Sequence, residues 1–124
     1  MIRGIEHTAI ASADPAALAD WYADTLGWVI NYRGSTAFFV KAPDGTMIEI
    51  IPAEGERGGN TLKTPGIRHL ALTVTDFDSV YAGLQAKGVN FIAEPVFAKG
   101  NKLVFFTDPE GNYLHLLQRE TPLP

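Results

Sequence analysis

The feature that most constrains this chain is a repeat. The segment His7-Thr-Ala-Ile-Ala-Ser-Ala-Asp14 has a counterpart in His69-Leu-Ala-Leu-Thr-Val-Thr-Asp76, half a chain further on. In each, a histidine precedes an aspartate, and the alternating small and apolar residues between them read as a strand. Asp14-Pro15 then reads as a helix N-cap followed by proline at the first helical position. Leu18, Trp21, Tyr22 and Leu26 follow at helical spacing, and Gly27 is placed to end the helix. In the second half Asp76 opens a helix with Phe77, Val80, Tyr81 and Leu84 on one face, and Gly88 ends it.

Three strands are expected after each helix. In the first half they are Trp28–Arg33, Thr36–Lys41 and Met47–Ile51, with turns at Arg33-Gly34-Ser35 and Pro43-Asp44-Gly45. In the second half they are Val89–Val96, Leu103–Thr107 and Tyr113–Gln118, with turns at Lys99-Gly100-Asn101 and Asp108-Pro109-Glu110-Gly111-Asn112. The expected fold is therefore α+β, built from two tandem βαβββ modules over residues 1–52 and 67–124. The polar, glycine-rich stretch 53–66 reads as a linker. Its glycines do not make a phosphate-binding loop, because no Gly-Lys-Ser/Thr follows and no strand runs into a helix there.

Composition narrows the function classes. A net charge of -4 without any Lys/Arg run argues against a nucleic-acid partner, which needs a clustered basic face. The absence of cysteine removes disulfides, thiolate metal sites and a cysteine nucleophile together. The first residues carry no signal-peptide apolar core and no apolar stretch approaches membrane-spanning length, so a cytoplasmic protein without a membrane partner is expected.

The repeat also sorts the ionisable residues. Glu49 follows Gly45, and His115 follows Gly111, at the same spacing, so the two occupy equivalent places on the last strand of each module. His7 and His69 are equivalent on the first strands. Strand parity puts His69 with Ala71 and Thr73 on one face and Leu70, Leu72 and Val74 on the other. Ile48 and Ile50 flank Glu49 on the opposite face, as Leu114 and Leu116 flank His115. All four residues thus point away from the helix-packing face. A lone histidine among apolar neighbours is ordinarily a hydrogen-bonded core residue, and a lone glutamate an edge charge. Four donors at two pairs of equivalent positions are harder to ascribe to packing, since burying a carboxylate is costly and a metal ion removes that cost. If the first and last strands of a module are neighbours, His7 approaches Glu49 and His69 approaches His115.

With these motifs in hand, the chain resembles the vicinal oxygen chelate superfamily, which includes glyoxalase I, methylmalonyl-CoA epimerase, extradiol dioxygenases and fosfomycin- and bleomycin-resistance proteins. The resemblance is carried by Glu6-His7-Thr8-Ala9-Ile10, by Trp21-Tyr22 through Leu26-Gly27-Trp28, by Arg68-His69-Leu70-Ala71-Leu72, and by Asp108 through Leu116. It implies curved mixed sheets forming a cup around one divalent ion, with His7, Glu49, His69 and His115 as ligands. It also implies a homodimer, in which the first module of one chain often completes the site with the second module of the other. Metal-dependent relatives usually carry glutamate where this chain has His115, so the resemblance selects no single activity.

Three neutral imidazoles and one carboxylate would leave a divalent ion with about one net positive charge, which favours Lewis acidity toward a small substrate offering two adjacent oxygens. Iron, manganese, nickel, cobalt and zinc all suit this N/O set. The leading expectation is an enzyme of glyoxalase-like lyase or isomerase type, with His115 and Glu49 as candidate bases. An iron-dependent ring-cleaving dioxygenase is the alternative, with Trp28, Phe39, Phe91, Phe105 and Tyr113 available to line an aromatic pocket or, more ordinarily, to fill the core. A metal-free drug-binding protein is the third. Arg33, Arg68, Lys102, Glu6 and Asp24 read as surface residues.

Overall fold

The computed structural model describes residues 1–124. Two compact units make up the chain, Met1–Glu56 and Arg57–Pro124. The first contains β1 (His7–Ser12), α1 (Pro15–Leu26), β2 (Val29–Arg33), β3 (Phe38–Lys41) and β4 (Met47–Pro52). The second contains β5 (His69–Thr73), α2 (Phe77–Ala86), β6 (Asn90–Phe91), β7 (Val96–Ala98), β8 (Asn101–Thr107) and β9 (Tyr113–Arg119). The fold is α+β with one mixed sheet per unit, as the repeat requires.

The first sheet runs in the order β1-β4-β3-β2 and the second β5-β9-β8-β6, with β7 also on β8. In each unit the first strand lies parallel to the last, while the remaining pairs are antiparallel. This parallel pairing is open to the chain because a helical crossover separates the two strands. Both helices begin as their sequences dictate. Asp14 caps α1 by accepting a hydrogen bond from the Ala17 amide at 3.2 Å, with Pro15 next to it. Asp76 accepts one from the Ser79 amide, and the Phe77 amide donates to Gln118 Oε1 at 2.8 Å, tying α2 to β9. Gly27 ends α1 in the left-handed conformation, φ 75°, its amide donating to the Ala23 carbonyl. The second helix ends on Lys87, and the left-handed residue is Gly88 just after it.

One face of each sheet is sealed by its helix. In the first unit Leu18, Ala19 and Tyr22 of α1 are buried with Ile10, Val40, Ile48 and Ile50. In the second, Phe77 and Leu84 of α2 are buried with Val104, Phe106, Leu114 and Leu116. The buried strand residues alternate with the site candidates, as parity demands.

One expectation needs correction. The strand expected over Val89–Val96 is reduced to the two residues of β6, and β7 begins only at Val96; both pair with β8. Pro95 lies in the break, and a proline offers no amide to continue the ladder. The linker 53–66 also does more than connect. Arg57 Nη2 donates to Asn112 Oδ1 at 2.7 Å, Asn60 Nδ2 to the Gly111 carbonyl at 3.1 Å, and the Tyr113 hydroxyl to the Asn60 carbonyl at 3.2 Å. Residues 57–60 are thus strapped to the turn that opens β9. No helix is long and apolar enough to cross a membrane.

Candidate metal centre

The turn before each last strand fixes where its donor sits. Ahead of β4, Asp44 Oδ1 accepts from both the hydroxyl and the amide of Thr46, and these bonds, the hydroxyl first, lower the Asp44 pKa. Ahead of β9, buried Asp108 accepts from the amides of Glu110 and Asn112 through Oδ1, at 2.9 and 3.0 Å. Its Oδ2 accepts from Asn112 Nδ2 at 2.7 Å. Each aspartate closes its own turn, and Glu49 and His115 follow at set places on the sheet.

Register then builds two matching rows. Across the first sheet, Ala9 stands opposite Glu49, and Glu49 opposite Phe39. Across the second, Ala71 stands opposite His115, and His115 opposite Phe105. His7 and His69 each lie two residues before the alanine of their row, on the same face, diagonally adjacent to the donor on the last strand. The expected pairs are therefore formed. His7 Nε2 lies 3.6 Å from Glu49 Oε1. The rings of His69 and His115 meet edge to face with centroids 4.7 Å apart. No group of three or more histidine, aspartate or glutamate side chains is gathered closely enough to hold a metal ion.

The two pairs live in different surroundings. His7 and His69 are exposed, Glu49 is partly so, and His115 is buried to 7% relative exposure. The rings of His69 and Phe105, the latter 4.8 Å away, enclose His115 on the open face of its sheet. Burial lowers its pKa; a hydrogen bond from Nδ1 to the Leu116 carbonyl opposes the shift, while His69 and Arg119 add to it. The His115 imidazole is accordingly held neutral, the form that ligates metals and accepts protons.

The aromatic candidates divide. Phe39 packs edge-on against His7 at 5.3 Å and Phe105 against His69 at 5.4 Å, so both border the donor pairs. Trp28 instead packs with Tyr22, and Phe91 with Tyr81 and Phe106, on the helix side. Tyr113 is held by the strap. Two residues had no site role in the sequence: Tyr32, beside Phe39, and Glu6, beside His7 and read as a surface residue. Tyr32 meets Phe39 edge-on at 6.0 Å, extending the row of rings across the first sheet. Glu6 Oε1 lies 3.0 Å from His7 Nδ1. Only its position next to His7 hinted at this, because Glu6 precedes β1 and strand parity does not reach it. Among the cations, Arg68 Nη1 donates to Asn60 Oδ1 and the Thr61 carbonyl, and Lys102 lies 3.5 Å from Asp78.

The donor chemistry fits a divalent ion. Two ligand atoms bound at about 2.1 Å to one ion stand roughly 3 to 3.4 Å apart, close to the separation of His7 Nε2 and Glu49 Oε1. Imidazole nitrogen with carboxylate oxygen is also a set that divalent transition metals accept.

Residues 4–116 match the sequence pattern of the Glyoxalase/Bleomycin resistance protein/Dioxygenase superfamily. The chain belongs to this superfamily. Its members generally use a metal ion, and they often bind small molecules and form dimers. The chain is 28% identical to the YwkD protein of Bacillus subtilis (strain 168), over 96% of this chain and 99% of that protein. It is likewise 28% identical to the YaeR protein of Escherichia coli (strain K12), over 95% and 98%. Among solved structures, oxidase ChaP-H2 superposes with a TM-score of 0.77 at 26% identity, covering 96% of this chain and 95% of that one. The structure of SMU.1112c superposes with a TM-score of 0.80 at 24% identity, covering 94% and 99%, a likeness of fold.

Proposed function

We propose that this protein is a metal-dependent vicinal oxygen chelate enzyme acting on a small substrate that presents two adjacent oxygens, by a glyoxalase-like lyase or isomerase reaction. The observation that carries this reading is the matched placement of His7 beside Glu49 and His69 beside His115, at repeat-equivalent diagonals of two sheets. In the proposal the four side chains hold one divalent ion, drawn from iron, manganese, nickel, cobalt or zinc. The ion, when bound, supplies Lewis acidity to the substrate oxygens. Glu49, a partly exposed carboxylate, and His115, an imidazole whose pKa burial lowers, are the candidate bases at the adjacent carbon; whichever serves must release the ion to free the lone pair that takes the proton. Ala9 and Ala71 keep the faces beside them open, while Phe39 and Phe105 restrict the rings of His7 and His69.

Titrating metal-free protein with cobalt or zinc tests the reading. A single class of tight sites is expected, weakened at least about tenfold by His7→Ala, Glu49→Ala or His69→Ala, since each removes one ligand. Failure of the wild-type protein to bind any of the five metals would sink the metal-dependent reading and leave small-molecule binding without chemistry. Solvent proton exchange on 2-oxo or 2-hydroxy compounds should then survive with zinc and vanish in whichever of Glu49→Gln or His115→Asn removes the base.

A second reading rests on a specific observation. The rings of Phe39, with Tyr32 packed on it, and of Phe105 in the second unit border the donor pairs, and one similar solved protein is named an oxidase. That lining supports, as the alternative reading, an iron-dependent oxidative reaction on an aromatic substrate. Oxygen uptake with catechols by the iron-loaded protein, absent with zinc, would favour it over the proton-transfer reading.

A further inference from the structure

We propose that Glu6 is a positioning residue whose carboxylate fixes the His7 imidazole as the tautomer that leaves Nε2 unprotonated. The inference rests on the reading of His7 as a metal ligand, and it adds a residue outside the four donors.

A neutral imidazole carries its hydrogen on Nδ1 or on Nε2, and a free histidine in water prefers Nε2; the better local acceptor decides between them. Two carboxylates flank His7. Glu6 Oε1 stands 3.0 Å from Nδ1, a hydrogen-bond distance, whereas Glu49 Oε1 stands 3.6 Å from Nε2, beyond it. The proton therefore belongs on Nδ1, donated to Glu6, and the Nε2 lone pair faces the side where Glu49 sits. The edge contact with Phe39 at 5.3 Å limits rotation of the ring about this arrangement.

Glu6 can take this position because it lies just before β1, where the chain is not yet bound by strand alternation. Its side chain is 74% exposed, so solvent screens the charge and the Coulombic attraction contributes little. What remains is directional: an acceptor aimed at one ring nitrogen. The second unit lacks the device. Arg68 occupies the place before His69 that Glu6 occupies before His7; it offers donors and no acceptor, and turns toward Asn60 and Thr61. His69 is flanked instead by the rings of Phe105 and His115. The two halves of the repeat thus orient equivalent histidines by different means.

Long-range ¹H–¹⁵N NMR of metal-free protein, at a pH about two units above the ordinary histidine value, reads the His7 tautomer directly. Nδ1–H is expected in the wild-type protein and in Glu6→Gln, whose amide oxygen still accepts, and predominantly Nε2–H in Glu6→Ala. Zinc affinity should fall about tenfold in Glu6→Ala and little in Glu6→Gln, the lower end of what outer partners of a ligating histidine contribute. An Nε2–H wild-type ring, equal tautomer populations in wild type and Glu6→Ala, or a shifted tautomer with unchanged affinity would each overturn the proposal. Should wild-type protein bind no zinc or other metal, the functional reading fails, while the tautomer measurement still decides what Glu6 does to His7.

Discussion

Burial holds the His115 imidazole below the ordinary histidine pKa, against the hydrogen bond to Leu116 and with the added influence of His69 and Arg119. The folded protein consequently binds this proton less readily than the unfolded chain, whose histidines titrate near about 6.5. The stability contributed by neutral His115 is complete above that unfolded value and is lost as the pH falls through the lowered folded value. Thermal denaturation of metal-free protein should show a melting temperature that drops between about pH 7.5 and about pH 5, with a smaller drop in His115→Asn. An equal drop in both would assign the acid sensitivity to other groups. At this scale, position was legible and environment was not. The repeat placed His115 on the open face of its strand, yet its enclosure by His69 and Phe105 depends on the register of three strands, which the sequence of one strand does not contain.

Among the elements, the turns carry much of the order around the donors. Asp108 closes the turn before β9 with three hydrogen bonds while 2% exposed, so Asp108→Ala strands the partly buried amides of Glu110 and Asn112. A loss of about 1–3 kcal/mol is expected from leaving such groups unsatisfied, measurable by urea denaturation. Gly27 ends α1 at φ 75°, and Gly27→Ala should cost about 1–2 kcal/mol in the same measurement, the penalty for placing a Cβ in the left-handed region. Both helices and the strands bearing the donors could be read from Asp14-Pro15, Asp76, Gly27 and the alternation around Glu49 and His115, because these signals are local. The interruption between β6 and β7 was harder to see. The run Val89–Val96 has strand composition, and its break follows from where Pro95 meets the hydrogen-bonding pattern of β8. The strap at residues 57–60 was equally hidden, since Arg57, Asn60, Asn112 and Tyr113 make a polar network between segments distant in sequence.

For the molecule as a whole, the proposed four-ligand site draws its residues either from one copy of the chain or from two. Members of this superfamily often form dimers, and if two copies share each proposed site, mixing variants reveals it. On this proposal, His7→Ala and His69→Ala chains are each expected to bind metal only weakly when alone. After subunit exchange between them, about one quarter of the wild-type capacity should return, because half the two-fold dimers are mixed and each mixed dimer has one intact site. No recovery in a mixture proven to exchange would place all four donors within a single copy.

The parallel pairing of the first and last strand in each unit has a kinetic consequence. Hairpins such as β3 with β4, or β8 with β9, join neighbours in sequence and close small loops. The contacts of β1 with β4, and of β5 with β9, join positions roughly 40 residues apart, and such pairings close late because their loop entropy must be met first. Yet these are the pairings that set His7 beside Glu49 and His69 beside His115. Each donor pair is therefore a timer on its own module, complete when the slowest seam of the sheet has zipped, so that acquisition of a metal during refolding would mark the end of folding rather than its nucleus.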